Sequence, residues 1–474
     1  MHGLYLTLVI LNDIIVILAI LHVLMDNRQP AKTMAWALVI YFVPVAGIVL
    51  YLFFGIDTRK ERLISRRSLD QISRRSMLSF VEQQDLHVPE RHRQTVDLFI
   101  NQNLSLPFKD NTVDIYTDGY SFFPALLRAI RDAVSHIHID IYIFADDALG
   151  RLVSDALIAK ARQGVEVRII YDDVGCWNVR RDFFERMRNE GIEVCPFLPV
   201  RFPSFTSKVN YRNHRKMIVV DGTVGFIGGM NIATRYVSGS DGRPWRDTMT
   251  RITGGAVYSL QRAFLVDWYF VDRTQISDRR YYPPLAPEVH NDCLIQIVTG
   301  GPVTPYPDLM QGYMRVIFAA RKYIYIETPY FLPTEPVLFA LKTAALGGID
   351  IRLIVPERCD ARFVEWAGRS YLREIMSSGV KVYLYKGGFL HSKILVCDDS
   401  ISTCGSTNVD ARSFENNFES NAFFYDEAMA RRFKAVFLED LSRSVPLSDI
   451  PERMHPGFFP HLWESFTRLL SPLL

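Results

Sequence analysis

The chain has almost no surplus of either charge: 54 Lys and Arg stand against 52 Asp and Glu, a net charge of +2 over 474 residues. A nucleic-acid binder usually carries a basic excess, so no nucleic-acid partner is expected. Cysteine is sparse. Cys176, Cys195, Cys293, Cys359, Cys397 and Cys404 fall without a CxxC or other zinc-like spacing. That scatter argues against a disulfide framework or a structural metal, and the six read as reduced thiols in a cytosol-facing domain. Low-complexity signs of global disorder are missing too, and the length calls for two or more domains.

The opening segment is of another kind. Two apolar stretches, roughly Leu4 to Met25 and Met34 to Phe54, flank the polar stretch Asp26 to Thr33. Each approaches the ~20 residues a helix needs to cross a bilayer, so residues 1–56 are expected to form a membrane hairpin, transmembrane or re-entrant. The first stretch lacks the basic flank and small-residue cleavage site of a signal peptide. It does contain Asn12-Asp13, and a carboxylate at the bilayer centre costs roughly 2.5–3.5 kcal/mol. Asp13 is therefore protonated, faces the partner helix, or marks a hairpin that dips in without spanning. Pro44 is tolerable where neighbours re-satisfy the freed carbonyl. Arg59, Lys60, Arg62, Arg66, Arg67, Arg74 and Arg75 follow. They place the remainder on the cytoplasmic side and suit anionic lipid head groups, although an ordinary solvated segment reads the same way. Arg28 and Lys32 in the hairpin loop blur that assignment.

From about residue 106 short β-branched runs alternate with helical periodicity, an α/β pattern, and the pattern repeats. His138 to Ile143 matches Tyr323 to Glu327. Gly164-Val-Glu-Val-Arg-Ile-Ile170 matches Gly348-Ile-Asp-Ile-Arg-Leu-Ile354, and Gly191-Ile-Glu-Val194 matches Gly379-Val-Lys-Val382. With the helices Leu152 to Gln163 and Val337 to Ala345 that follow the first strand of each set, four matches in one order imply two pseudo-symmetric halves with a site at their junction. The expected domains are 57–105 as a basic linker and helix, 106–284 and 285–450 as the halves, and 451–474 as an amphipathic tail.

Each half then reaches a polar cluster. The first runs from Asn213-His214-Arg215-Lys216 to Asp221, followed by Gly228-Gly229-Met230-Asn231. The second runs from His391-Ser392-Lys393 to Asp398, followed by Gly405-Ser406-Thr407-Asn408. Both fit H-x-K-x4-D. On a strand, His and Lys at i and i+2 share one face. Two lysines and two amides, Asn231 and Asn408, can surround the oxygens of a phosphodiester without a metal or cofactor. One neutral imidazole can attack phosphorus while the other, protonated, serves the leaving alkoxide. Asp247 and Glu419 stand at comparable distances downstream of their own histidines, His214 and His391 respectively, and are the expected acceptors that orient each ring. Asp221 and Asp398 belong to the motif, as chemical participants or as structural acceptors at the strand ends.

These paired clusters resemble the phospholipase D superfamily, over about residue 106 to the end. Asn210-Tyr-Arg-Asn-His-Arg-Lys216, Glu327-Thr-Pro-Tyr-Phe-Leu-Pro333, Gly405 to Phe414 and Asn417-Phe-Glu419 narrow the resemblance to the bacterial cardiolipin synthases, as does the hairpin ending Tyr51-Leu-Phe-Phe-Gly55. The resemblance implies a fold of two phospholipase D-like α/β halves in the bacterial inner membrane. It implies two phosphatidylglycerol molecules as substrates, with His214 as nucleophile and His391 protonating the departing glycerol; the residues alone leave the two interchangeable. A homo-oligomer is compatible with the sequence. Hydrolysis, or transfer to another alcohol, would use the same residues. The tail from His455 reads either as an interfacial helix or as a closing helix packed on the domain.

Overall fold

The computed structural model describes residues 2–25, 30–55, 88–200, 210–240, 242–276, 278–284 and 293–471. The basic run Arg59 to Arg75 lies outside them. Residues 1–60 with 200–211 form one compact unit, and 61–199 with 212–474 form the other.

In the first unit the helix His2–Met25 has 24 residues, about 36 Å at 1.5 Å per residue, against a hydrocarbon core of about 30 Å. Its Tyr5–Met25 stretch has a mean hydropathy of 2.6. Asp13 lies on its exposed side. The second apolar stretch is not a single helix. It divides into Pro30–Phe42 and Pro44–Leu50, with Val43 between them at φ −133°. Proline lacks the N–H that would continue the ladder and disfavours helical geometry in the residue before it. The 13-residue piece reaches only about 20 Å. Among the described residues, one helix has the length and composition to cross a membrane. Val16, Val23, Ile40 and Tyr51 bury one another where the pieces meet.

The second unit holds two mixed sheets laid out to one plan. The first runs, edge to edge, Asn111–Tyr116, Met249–Gly254, Val224–Gly228, Lys216–Val220, His136–Ile141, Glu166–Asp172, Glu193–Phe197. In the second, Ile295–Gly300, Glu419–Phe424, Ile401–Gly405, Ile394–Cys397, Tyr323–Glu327, Asp350–Pro356 and Lys381–Tyr385 follow in the same order, with Pro107–Phe108 and Ser444–Pro446 added at the edges. In each, the last three strands of that shared order are parallel and joined by helices, and the others are antiparallel. The continuous apolar runs at residues 217–220 and 394–397 suit a sheet covered on both faces. His136–Ile141 and Tyr323–Glu327 are buried at every position.

Two boundaries differ from the sequence reading. The helix Glu90–Asn103 contributes Val96 and Phe99 to the second half's core, with the Phe99 ring 4.7 Å from that of Phe423 and tilted against it. Pro107–Phe108 pairs with Gln296 and Ile295. Residues 90–108 therefore belong structurally to the second half; an amphipathic helix docks wherever its apolar stripe is covered, whatever its place in the chain.

Candidate active site

Neither histidine stands on a strand. His214 lies two residues before Lys216–Val220, and His391 three before Ile394–Cys397, in extended lead-ins rather than within the ladders. Each lead-in pairs with the opposite half. The His214 N–H donates to Phe418 O at 2.9 Å, and the Phe418 N–H to Arg212 O at 2.9 Å. Reciprocally, Phe389–Leu390 runs parallel to Trp245–Arg246, and the His391 N–H donates to Arg246 O at 2.7 Å.

This exchange decides which carboxylate each ring meets. His214 Nδ1 lies 3.0 and 3.1 Å from the Glu419 oxygens, and His391 Nδ1 lies 2.7 Å from Asp247 Oδ2. Each acceptor comes from the half that does not supply its histidine, the reverse of the pairing suggested by sequence spacing. An ionised carboxylate can only accept, so each Nδ1 carries the hydrogen and each Nε2 keeps its lone pair. Asp247 and Glu419 are fully buried. Burial pushes both carboxyls up, but Lys393 and then His391 outweigh it at Asp247, and His214 and then Lys216 at Glu419, so both sit below the usual range.

The glycine-containing pairs of the motif serve these carboxylates. A side chain at Gly229 would meet Asp247 Oδ1 at 2.1 Å, so only glycine admits it. At the matching place Ser406 gives its hydroxyl to Glu419 instead.

Lys216 and Lys393 are also buried, each turned back on the carbonyl of its own motif histidine, Lys216 Nζ at 2.7 Å. Burial lowers both ammonium pKa values. Burial is also the main cause that brings His214 and His391 down to about 4; Lys216 and Lys393 add to it at both rings, against Glu419 and Asp247 respectively. Each lysine thus acts on the histidine of the other half, so the two clusters share one electrostatic site. At neutral pH both free imidazoles are uncharged.

Three motif residues have other work. Asp221 and Asp398 sit at the far ends of their strands, about 16 Å along the chain from the lysines at 3.3 Å per residue, at φ 53° and 54°. Asp221 accepts the N–H groups of Val134, Ser135 and His136 at 2.7–2.9 Å, and Asp398 those of Arg321, Lys322 and Tyr323 at 2.6–2.9 Å. Both pin the start of a central strand, the structural-acceptor role of the two readings the sequence left open. Asn231 takes the Ile143 N–H at 3.0 Å and gives one hydrogen to the Tyr236 hydroxyl at 2.7 Å, leaving a single N–H for an anion. Asn408 is buried, and its Oδ1 has no protein partner.

Sequence reasoning missed a deeper layer. Asp140 and Glu327 occupy the same register, opposite Met217 and Ile394 respectively. Each shares an arginine with a helix carboxylate: Arg215 with Asp267, and Arg246 with Asp440 at 2.6 Å. Burial and then the neighbouring carboxylate push the Glu327 carboxyl up to about 8 and raise Asp140 well above its ordinary value. An acid in a buried strand of both repeats was the available signal. Tyr142 was missed as well; its ring lies 5.0 Å from that of His214 and 5.2 Å from Lys216 Nζ.

Two motif histidines, each backed by a buried carboxylate across the seam of a duplicated α/β fold, define a phospholipase D-like phosphatidyltransferase. A family profile described as "Cardiolipin synthase, PLD-like domain" matches residues 126–254 and again 313–441, and one described as "Phospholipase_D-nuclease N-terminal" matches 14–55. "Cardiolipin synthase 2" of Bacillus anthracis is 39% identical over 461 residues, covering 95% of this chain and 88% of that protein. "Major cardiolipin synthase ClsA" of Bacillus subtilis is 36% identical over 97% of each chain. Among solved structures, the phosphatidylserine synthase of Haemophilus influenzae superimposes with a TM-score of 0.62 at 14% identity, covering 81% of this chain and 100% of that one. The chain belongs to the cardiolipin synthase family.

Proposed function

We propose that the chain joins two phosphatidylglycerol molecules into cardiolipin at the cytoplasmic face of the bacterial inner membrane, through a phosphohistidine on His214. The observation that carries the reading is the pair of Nδ1-anchored imidazoles, each within the electrostatic reach of the opposite lysine. His214 Nε2 attacks phosphorus, and the P–O bond to glycerol breaks as His391 supplies its proton. The terminal hydroxyl of a second phosphatidylglycerol then gives its proton to His391 and attacks phosphorus, breaking the P–N bond. Lys216 and Lys393 bear the charge on the non-bridging oxygens.

Both histidines are neutral in the free site, so the substrate must load the acid. Burial first, and then Lys393 and Lys216, depress His391; a bound phosphodiester anion offsets the lysine part, and the pKa of the ring rises. Proton donation is thereby tied to occupancy. Cytoplasmic placement is supported by the basic run after the hairpin.

Labelled phosphatidylglycerol in vesicles tests the reading. Glycerol and a four-acyl lipid should appear in equal amounts, and His214→Ala or His391→Ala should abolish both. Phosphatidic acid as the main product would assign hydrolysis, and a new lipid formed only with an added alcohol would assign a different acceptor.

A further inference from the structure

The helix Phe458–Leu469 is mounted with its polar side inward. Glu464 and Thr467 are buried. The Glu464 carboxylate pairs with Arg373 and lies 3.9 Å from Arg369. Arg468 reaches Glu374 at 2.5 Å and Ser370 at 3.1 Å, and Ser471 hydrogen-bonds the Tyr371 hydroxyl at 2.9 Å. All of these partners lie on the helix Arg362–Met376. The opposite side is apolar and open: Phe458, Phe459, Leu462, Trp463, Phe466 and Leu469 are 43–78% exposed. At 3.6 residues per turn these six fall within an arc of about 140°. Phe363, itself 55% exposed, extends the patch, its ring 6.4 Å from that of Trp463.

A surface helix of a water-soluble domain turns its apolar stripe to the core, and a contiguous exposed apolar patch marks a contact surface. The helix cannot simply roll over to hide the stripe. Rolling would strand Glu464 and the arginines that pair with it, and breaking a buried ion pair is strongly destabilising.

We propose that this face is a second lipid-contact element, lying in the plane of an anionic bilayer independently of the amino-terminal helix. Its Trp and Phe content suits the interface, where amphipathic helices sink about 5–10 Å. The exposed cations Arg358 and Arg362, at the Phe363 end of the supporting helix, provide the complement to anionic head groups. The proposal goes beyond the synthase reading, and its test does not depend on turnover.

The test uses full-length protein in nanodiscs of phosphatidylglycerol and phosphatidylcholine, with Cys195→Ser and Cys359→Ser as background. A nitroxide is attached through Phe466→Cys or, on the polar side, through His461→Cys, and thermal melting confirms that both fold. The label at 466 should be relaxed by oxygen and shielded from a water-soluble nickel chelate, and the label at 461 should show the reverse. Equal access of the chelate to both positions overturns the proposal. So does a 466 label shielded from both relaxants with dipolar broadening between copies, which would make the face a protein–protein interface.

Discussion

Asp247→Asn keeps the shape of its side chain and removes one buried charge 2.7 Å from His391 Nδ1. With a charge separation of about 4 Å and an effective dielectric of 20, the carboxylate stabilises an imidazolium by about 4 kcal/mol. At 1.36 kcal/mol per decade that is about a thousandfold in the step where His391 holds the proton. Glu419→Gln removes the corresponding support from His214. The crossed pairing makes the two losses separable. A phosphodiester with an acidic leaving group needs no general acid, so phosphorylation of His214 can be followed by rapid quench in a His391→Ala background. There, Asp247→Asn should have almost no further effect, since the ring it supports is gone, while Glu419→Gln should still slow phosphorylation strongly. If Asp247→Asn kept its full effect without His391, and Glu419→Gln lost its own, the assignment of acceptors across the seam would be wrong.

Other substitutions read other parts of the site. Asp221→Ala removes the acceptor of three backbone N–H groups at φ 53° and should cost about 2–3 kcal/mol of stability, seen in urea unfolding, with kcat of the folded protein nearly unchanged. The acid limb of kcat/KM should fall near pH 4 instead of 6.5, because the free His214 ring is held down to about 4 and must be neutral to attack. Glu327→Gln should be well tolerated at pH 7, where its carboxyl, pushed up to about 8 by burial, is already protonated. The sign is definite. A raised folded pKa means the unfolded chain sheds the proton first, so wild-type stability falls by up to about 1.4 kcal/mol per pH unit between 4.5 and 8. The glutamine variant should lose that part of the slope in thermal melts from pH 5 to 8.

Local pattern was enough to mark the two H-x-K clusters that the fold brings to one seam. Duplicate H-x-K clusters, matched strand openings and an apolar first helix are properties of spacing and periodicity, which a linear text carries directly. The same text could not say that Glu419 serves His214 and Asp247 serves His391, because the two repeats are equivalent in sequence and the exchange arises from lead-in strands pairing across the seam. Nor could it send Asp221 and Asp398 to the far strand ends, show that Gly229 makes room for a carboxylate, or turn the apolar side of the Phe458–Leu469 helix outward. Each of these depends on contacts between residues distant in the chain, and such contacts are settled by which surfaces find cover and which buried charges find partners once the whole chain has packed.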